Sequence, residues 1–547
     1  MRQLKVLAMR ERYSDVLLIV LVCLATAGLL RPFQDAPFID DWVYAWPVER
    51  LLKMWDFRIL EYSGSVNLAQ VLWGALFALP GGFSFAALRL STFVLGTASL
   101  CALYLMLRGL NVPRASALFG VAVLAIYPIF FILSFTFMTD VPLVACFIGA
   151  ASALLVALRR QSTAWLVAAA VFIALSISMR FVGLAAAAAL GMVLLFHAGS
   201  FGRRRLWVAL IPAVITLLLF VWRQDHMVSP VDMTLVANSP AHRFATLRDF
   251  ALPYLPEALV TALGFLAGAV GIALLPLAIA ILNRRNAIYA GLILALLSAG
   301  LFLAFRVGIV YPLPLVPGGT WTLDEIGGAM PLVPGFAGTG APTWVYWSVA
   351  FVGWASTSIL LTTLSRRPSA IEWFFLWSIV YGLIVVAVLW LFHDRYALPL
   401  IVPVLVLVLI RAQQPQLLRA APILALLAAV CLMGTRDHLS FTAALSSALK
   451  QTREFGAADS EINGGYVING WNQYAHAAKN GFDTKIPWVN ARNLLRYEIS
   501  HSRFPDVRVL ATVSYRRWLG PSGELYVFDR GHDIGVPDRR DAENTQG

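Results

Sequence analysis

The sequence predicts a polytopic α-helical membrane protein, with about thirteen transmembrane helices, interfacial helices in the first external loop and a small external α/β domain at the C-terminus. Three observations predict it. Of the 547 residues, 59% are hydrophobic and only 13% charged, against roughly 45–50% apolar residues in a soluble domain. Apolar runs recur at the roughly 17–25 residues that a helix needs to cross a hydrocarbon core. Arginines cluster in alternate connections between those runs, the pattern that encodes orientation in a bilayer. The net charge of +12 is therefore topological, and no nucleic-acid partner is expected. Cys23, Cys101, Cys146 and Cys431 all sit in apolar runs without CxxC or Cys/His spacing, which argues against disulfides and structural zinc.

Arg2, Lys5, Arg10 and Arg12 precede an apolar run from about Val16 to Leu30. A signal peptide has the same outline, and the reading here is a retained first helix; either way, residue 32 emerges outside. In the loop that follows, Pro47 to Arg58 mixes Leu, Met, Trp and Phe with charges behind a proline suited to a helix start, and predicts a helix lying flat in the interface. Val66 to Pro80 is placed within the outer leaflet, because a full crossing would invert every later loop. Further spans fall near 86–107, 117–134, 138–158, 163–179, 182–198, 206–222, 257–282, 287–310, 344–364, 370–391, 396–411 and 419–435.

Alternate connections hold Arg108 and Arg114, Arg159 and Arg160, Arg203 to Arg205, Arg284 and Arg285, Arg366 and Arg367, and Arg411 with Arg419, with no Asp or Glu among them. The positive-inside rule makes these loops and the N-terminus cytoplasmic, in the inner (plasma) membrane. Thirteen crossings then place the C-terminus outside. All the long hydrophilic pieces, 32–85, 223–256, 311–343 and 436 onward, fall on that outer face.

Residues 1–435 therefore read as a transmembrane module and 436–530 as an external domain. Within the latter the pattern predicts helices near 440–456, 471–480 and 490–501 and strands at 465–469, 507–515 and 524–528. The charged stretch 531–547 reads as a disordered tail.

The most unusual polar stretch is Phe38-Ile39-Asp40-Asp41-Trp42-Val43-Tyr44-Ala45-Trp46, two adjacent carboxylates among interfacial aromatics directly after the first span. Four arginines defy the loop bias and fall toward the outer side: Arg89, Arg180, Arg306 and Arg395. For each, snorkelling to the interface or pairing with an acid is the structural alternative.

Asp40-Asp41-Trp42-Val43-Tyr44-Ala45 resembles the Asp-Glu-x-x-Tyr-Ala signature of the C superfamily (GT-C) of membrane glycosyltransferases, in particular the family of protein O-mannosyltransferases and the lipid A aminoarabinose transferase. Ala87-Leu88-Arg89-Leu90, Thr139-Asp140-Val141-Pro142-Leu143 and His393-Asp394-Arg395-Tyr396-Ala397-Leu398-Pro399 are similar to its Arg-Leu, recurring external Asp and late Arg-Tyr…Pro. The resemblance covers roughly residues 10–435, and the order and common external face of the motifs carry it. One departure stands at Ser63-Gly64-Ser65-Val66-Asn67-Leu68, where relatives often have Lys or His before Pro-Pro-Leu. A basic donor-phosphate contact is missing there.

The resemblance implies inverting transfer of a sugar from a polyprenyl-phosphate donor to a hydroxyl of a lipid, glycan or protein acceptor. Asp40 is expected as the general base and Asp41 to hold the acceptor, with a helix cap or an exposed acid as the alternative for Asp41. Arg395, Arg89, Arg180 and Arg306 are expected to bind the donor phosphate, with Asp140, His393, Asp394, Tyr396 and Tyr44 supporting the site. For Asp140 the alternative is a helix cap, and for His393 a structural histidine. The long loops around His226, His242 and Asp324-Glu325 have the length of a lid. No metal is expected to be required, although Asp40, Asp41 and Asp140 would suit a divalent ion if brought together. Two rivals remain open: a transporter or flippase for lipid-linked sugars, which predicts polar groups at the midplane of several spans, and a non-catalytic envelope scaffold, which would tolerate neutralising Asp40.

Overall fold

A computed structural model describes residues 2–60, 63, 66–196, 203–228, 254–306, 343–363, 367–389, 394–412, 415–475, 495–504, 507–519 and 521–531. In chain order the helices and strands are α1 (Arg2–Leu30), α2 (Asp41–Met54), β1 (Ile59–Leu60), α3 (Leu68–Ala78), α4 (Phe85–Gly109), α5 (Arg114–Ala125), α6 (Pro128–Leu133), α7 (Asp140–Arg160), α8 (Thr163–Met179), α9 (Leu184–Phe196), α10 (Leu210–His226) and β2 (Met227–Val228). Then come α11 (Leu255–Ala273), α12 (Leu275–Ile281), α13 (Arg284–Arg306), α14 (Thr343–Leu361), α15 (Ala370–Leu389), α16 (Leu398–Arg411), α17 (Leu417–Glu454), β3 (Ile462–Asn463), α18 (Gly465–Asn469), β4 (Tyr497–Ser500), β5 (Arg508–Tyr515) and β6 (Gly523–Asp529).

Seven described helices, α1, α4, α7, α10, α11, α15 and α17, are long and apolar enough to cross a membrane, and α3, α5, α8, α9 and α14 are shorter apolar helices. The chain is a multi-pass membrane protein. Its core is built on α7, which packs against α4 and α8, while α15 packs against α9, α11 and α16. By contrast, α1 and α10 present Leu17, Leu21, Leu24, Leu217, Leu218 and Val221 outward, as lipid-facing helices do.

Two of the expected spans are each made of two helices. Pro128 opens α6 and Pro276 stands at the start of α12, and a residue without a backbone N–H cannot continue the preceding ladder. With 11 residues, α3 rises about 16 Å, roughly half of a hydrocarbon core. Asp41, not Pro47, starts α2. Pro47 lies inside it, and its first two turns are buried in protein, so only its end, at Met54 and Trp55, faces outward. The helix expected from Pro47 thus begins six residues earlier, and its first two turns pack into the fold.

The arginine-rich end is closed by its own side chains. Arg114 grips buried Asp15 at 2.6 and 2.8 Å, and the Tyr104 hydroxyl donates to the same carboxylate. Arg411 binds Glu372 at 2.7 Å, while Arg205 and Arg419 donate to carbonyls of Gln161 and Leu282. These bonds satisfy carbonyls that helix ends leave open.

At the opposite end α17 continues unbroken for 38 residues, about 57 Å. The expected span at 419–435 and helix at 440–456 are one helix, which carries the C-terminal domain. There a four-stranded sheet of order β3-β4-β6-β5 packs on α17; β3 and β4 run parallel, and the two other pairs are antiparallel. Strands β5 and β6 fall where expected. Two expectations are corrected: 465–469 is helical, and within the helix expected over 490–501 the described residues Tyr497–Ser500 form β4. Tyr497 to Ser500 pair with Tyr526 to Asp529, and the buried ladder outweighs local helix preference. Residues 476–494 and 532–547, with the rest of the expected helix at 471–480 and the tail, lie outside the described residues.

Candidate active site

The site is built where the ends of α7, α8 and α16 meet the loop before α2. Phe38 to Asp40 turn tightly, with Ile39 at a positive φ of 51°, and the Phe38 N–H donates to Asp41 Oδ1 at 2.6 Å. Successive residues at a helix start point about 100° apart, so the two carboxylates diverge. Asp41 turns inward to Arg89 at 3.4 Å, and both side chains are 0% exposed. Arg89 also donates to the carbonyls of Gln34 (2.8 Å), Pro32 (3.4 Å) and Ala36 and lies over the Phe38 ring. Burial pushes the Asp41 carboxyl up to about 7 against the pull of Arg89. Asp41 and Arg89 therefore fasten loop 32–41 onto α4. Both side chains are closed off from solvent.

Asp40 points the other way. Its Oδ2 lies 3.4 Å from both terminal nitrogens of Arg395, with side chains 18% and 11% exposed. Its Oδ1 accepts a hydrogen bond from the Tyr466 hydroxyl of α18. Arg395 is held on a single helical turn, Asp394 to Ala397, just before Pro399 opens α16.

A second pair stands beside the first. Asp140, at the start of α7, lies 3.3 Å from Arg180 Nη2, both nearly buried, and Arg180 Nε donates to Thr139 Oγ1 at 2.5 Å. Arg180 breaks out of α8 in an extended conformation, reaches the Tyr44 hydroxyl at 3.4 Å and lies over the Tyr396 ring at 5.2 Å. Buried Gln70 of α3 fixes the approach to Thr139 by donating to the Phe137 carbonyl at 3.3 Å. Burial pushes the Tyr44 hydroxyl up, and Arg180, Arg395, Asp40 and Asp140 all act on it, so one phenol senses all four charges. Burial opposes the charge on Arg395, but Asp40 and Asp140 outweigh it and hold the guanidinium protonated.

Of the residues singled out by sequence, Asp40, Asp140, Arg180, Arg395, Tyr44 and Tyr396 come together, and Asp41 with Arg89 lies beneath them. Arg306 ends α13 and Asp394 lies on the turn before α16, but their side chains, together with His393, His242 and Asp324-Glu325, are outside the described residues. His226, at the end of α10, is stacked on Trp222. Thr139 and Tyr466 were not singled out. Thr139 adjoins a motif residue, whereas Tyr466 is 426 positions from its partner with no local signal. Among the described residues no group of three or more His, Cys, Asp or Glu side chains converges to hold a metal.

This constellation lies at one end of its helices, and part of the chain matches a known family model. Residues 68–222 match the model of the dolichyl-phosphate-mannose-protein mannosyltransferases. That stretch contains α3 to α9 and most of α10, including Arg89, Thr139, Asp140 and Arg180. Among solved structures, the chain is similar to ArnT from Cupriavidus metallidurans bound to undecaprenyl phosphate, at 13% identity over 96% of this chain and 99% of that one, with a TM-score of 0.42. It is likewise similar to ArnT from the same organism in the apo state, at 12% identity over the same shares and a TM-score of 0.41. No curated protein matches.

Proposed function

We propose that this protein is an integral membrane glycosyltransferase that moves a sugar from a polyprenyl-phosphate donor to an acceptor hydroxyl on the outer, periplasmic face, with Asp40 as general base. One observation carries the reading: Asp40, the partly exposed carboxylate of the motif, stands against Arg395 while Arg180 and Asp140 adjoin them. The matched family is named for a polyprenyl-phosphate sugar donor, the class assigned here to this chain. This reading puts the N-terminus and the arginine-rich loops in the cytoplasm and the C-terminal domain outside.

The chemistry follows from the charges. As the acceptor oxygen bonds to the anomeric carbon, its proton passes to Asp40, the bond from that carbon to the phosphate oxygen breaks, and the electron pair leaves on the phosphate. A single displacement inverts the anomeric centre. Two arginines against two aspartates leave no net charge. Protonating Asp40 removes one of the two negative charges, so Arg395 and Arg180 leave a net positive charge beside the leaving phosphate as its negative charge grows. These fixed cations supply the neutralisation, and the reading includes no metal.

The test is mass spectrometry of envelope lipids and glycans from a deletion strain carrying the wild-type gene or Asp40→Asn at matched protein level. A one-sugar mass difference restored by wild type alone supports transfer and names the acceptor. Restoration by both removes Asp40 from the mechanism and returns weight to transport or scaffolding.

A further inference from the structure

Among the described residues, the C-terminal domain meets Asp40 through a chemically specific contact. Strand β3 ends at Asn463, whose side-chain oxygen accepts from the Gly465 N–H at 3.3 Å and from Asn469 Nδ2 at 2.9 Å, while the Gly464 N–H donates to Asn469 Oδ1 at 3.0 Å. Asn463 and Asn469 are both buried. Gly465 has a φ of +80°, a conformation that favours glycine. This closed ring of bonds fixes the start of α18 and aims Tyr466 at the motif loop. Its ring lies edge-on to Trp42, at 6.4 Å between centroids. Gly470, one turn on, lies so close to the Trp42 indole that a methyl group there would overlap it. Trp471 stacks on Phe83 and meets Phe85 edge-on. The segment 464–471 is thus seated on the external loops by packing, and its hydroxyl reaches Asp40.

We propose that Tyr466 is a positioning residue for sugar transfer: the C-terminal domain completes the active site by holding Asp40 Oδ1, so that Oδ2 faces the acceptor proton. This rests on the assignment of Asp40 as base. Asp40 has two oxygens, and its partners divide them. Arg395 faces Oδ2 at a long 3.4 Å, a contact that a donor phosphate would displace by drawing the guanidinium to itself. Tyr466 is neutral, so the phosphate makes no such claim on it, and its bond to Oδ1 persists. The oxygen freed by donor binding is therefore the reactive one, and rotation of the carboxylate away from it is opposed by the tyrosine.

The test uses membranes from the deletion strain expressing the full-length protein, with lipid extract of the wild-type strain as donor source. Its amount is varied to separate kcat from apparent KM, and transfer to endogenous acceptors is read by mass spectrometry. Tyr466→Phe keeps the ring against Trp42 and removes only the hydroxyl. It is expected to lower kcat roughly tenfold, the scale of one hydrogen bond to a charged group, with apparent KM within about twofold. Ring-fluorinated tyrosine at 466 alters the acidity of the hydroxyl with almost no change of shape, and is expected to change kcat in an otherwise wild-type protein. It decides the matter should Tyr466→Phe accumulate poorly. Wild-type kcat in both variants while Asp40→Asn is inactive would overturn the role of Tyr466 and leave the base in place. Wild-type kcat in Asp40→Asn would overturn the base, and the positioning role with it.

Discussion

Asp140 and Arg180 form a nearly buried ion pair at 3.3 Å between the first turn of α7 and the end of α8. Thr139 fixes the guanidinium from one side and Tyr44 from the other. An arginine so fully held can receive a phosphate without being reordered. Arg180→Lys is therefore expected to fold, because the charge stays, but to lose about tenfold or more in transfer, because an ammonium lacks the planar donor fork. The complementation assay with mass spectrometry reads this loss, and wild-type transfer by the lysine variant would remove Arg180 from the donor site.

The Asp41–Arg89 pair predicts an effect on stability with a definite sign. Asp41 is raised to about 7 from about 4 in an unfolded chain, so the folded state holds its proton over that window more tightly than the unfolded state does. Stability is then highest below about pH 4 and falls as pH rises towards 7, by at most about 1.4 kcal/mol per unit. Asp41→Asn is expected to flatten that dependence in melting curves of purified protein between pH 5 and 8. An unchanged slope would place the titrating group elsewhere.

Glu372 and Arg411 lie at the arginine-rich end, far along the spans from the site. Glu372 also accepts from the Ser369 hydroxyl and N–H at 2.7 and 2.8 Å. Removing one partner of a buried pair strands the other, at a cost of about 3–5 kcal/mol. Glu372→Leu should lower the amount of folded protein in the membrane while any protein that remains transfers sugar at the wild-type rate per molecule. Loss of specific activity at full abundance would contradict a purely structural role.

Gly470 predicts the converse. A methyl group at this position overlaps the Trp42 indole, so Gly470→Ala must displace either α18 or the loop that carries Asp40. The sheet domain lies behind this contact and should still fold. The expected outcome is normal abundance with transfer reduced several-fold, measured alongside Tyr466→Phe. Full activity would mean that the loop accommodates the shift.

Much of this was legible in the sequence. Apolar run length and the placement of arginines are properties of composition, and they fixed the membrane class, the approximate spans and the shared face of Asp40, Asp140, Arg180 and Arg395. Broken helices were harder to read, because Pro128 and Pro276 interrupt runs whose hydropathy is continuous. The C-terminal strand β4 was missed, because its helix-favouring neighbours outweighed a pairing partner almost thirty residues away in the chain.

What only the tertiary structure decided is the division of labour among similar groups. Asp40 and Asp41 are neighbours of one residue type, and a helix start turns one toward Arg395 and the other toward Arg89. Arg89 and Arg180 are both arginines at the ends of their helices nearest the site, yet one is consumed by loop carbonyls and the other by the site. Tyr466 reaches Asp40 from the far end of the chain. Hydropathy and charge act through local composition and can be read along the sequence, whereas the pairing of one carboxylate oxygen depends on directions set by packing between segments hundreds of residues apart.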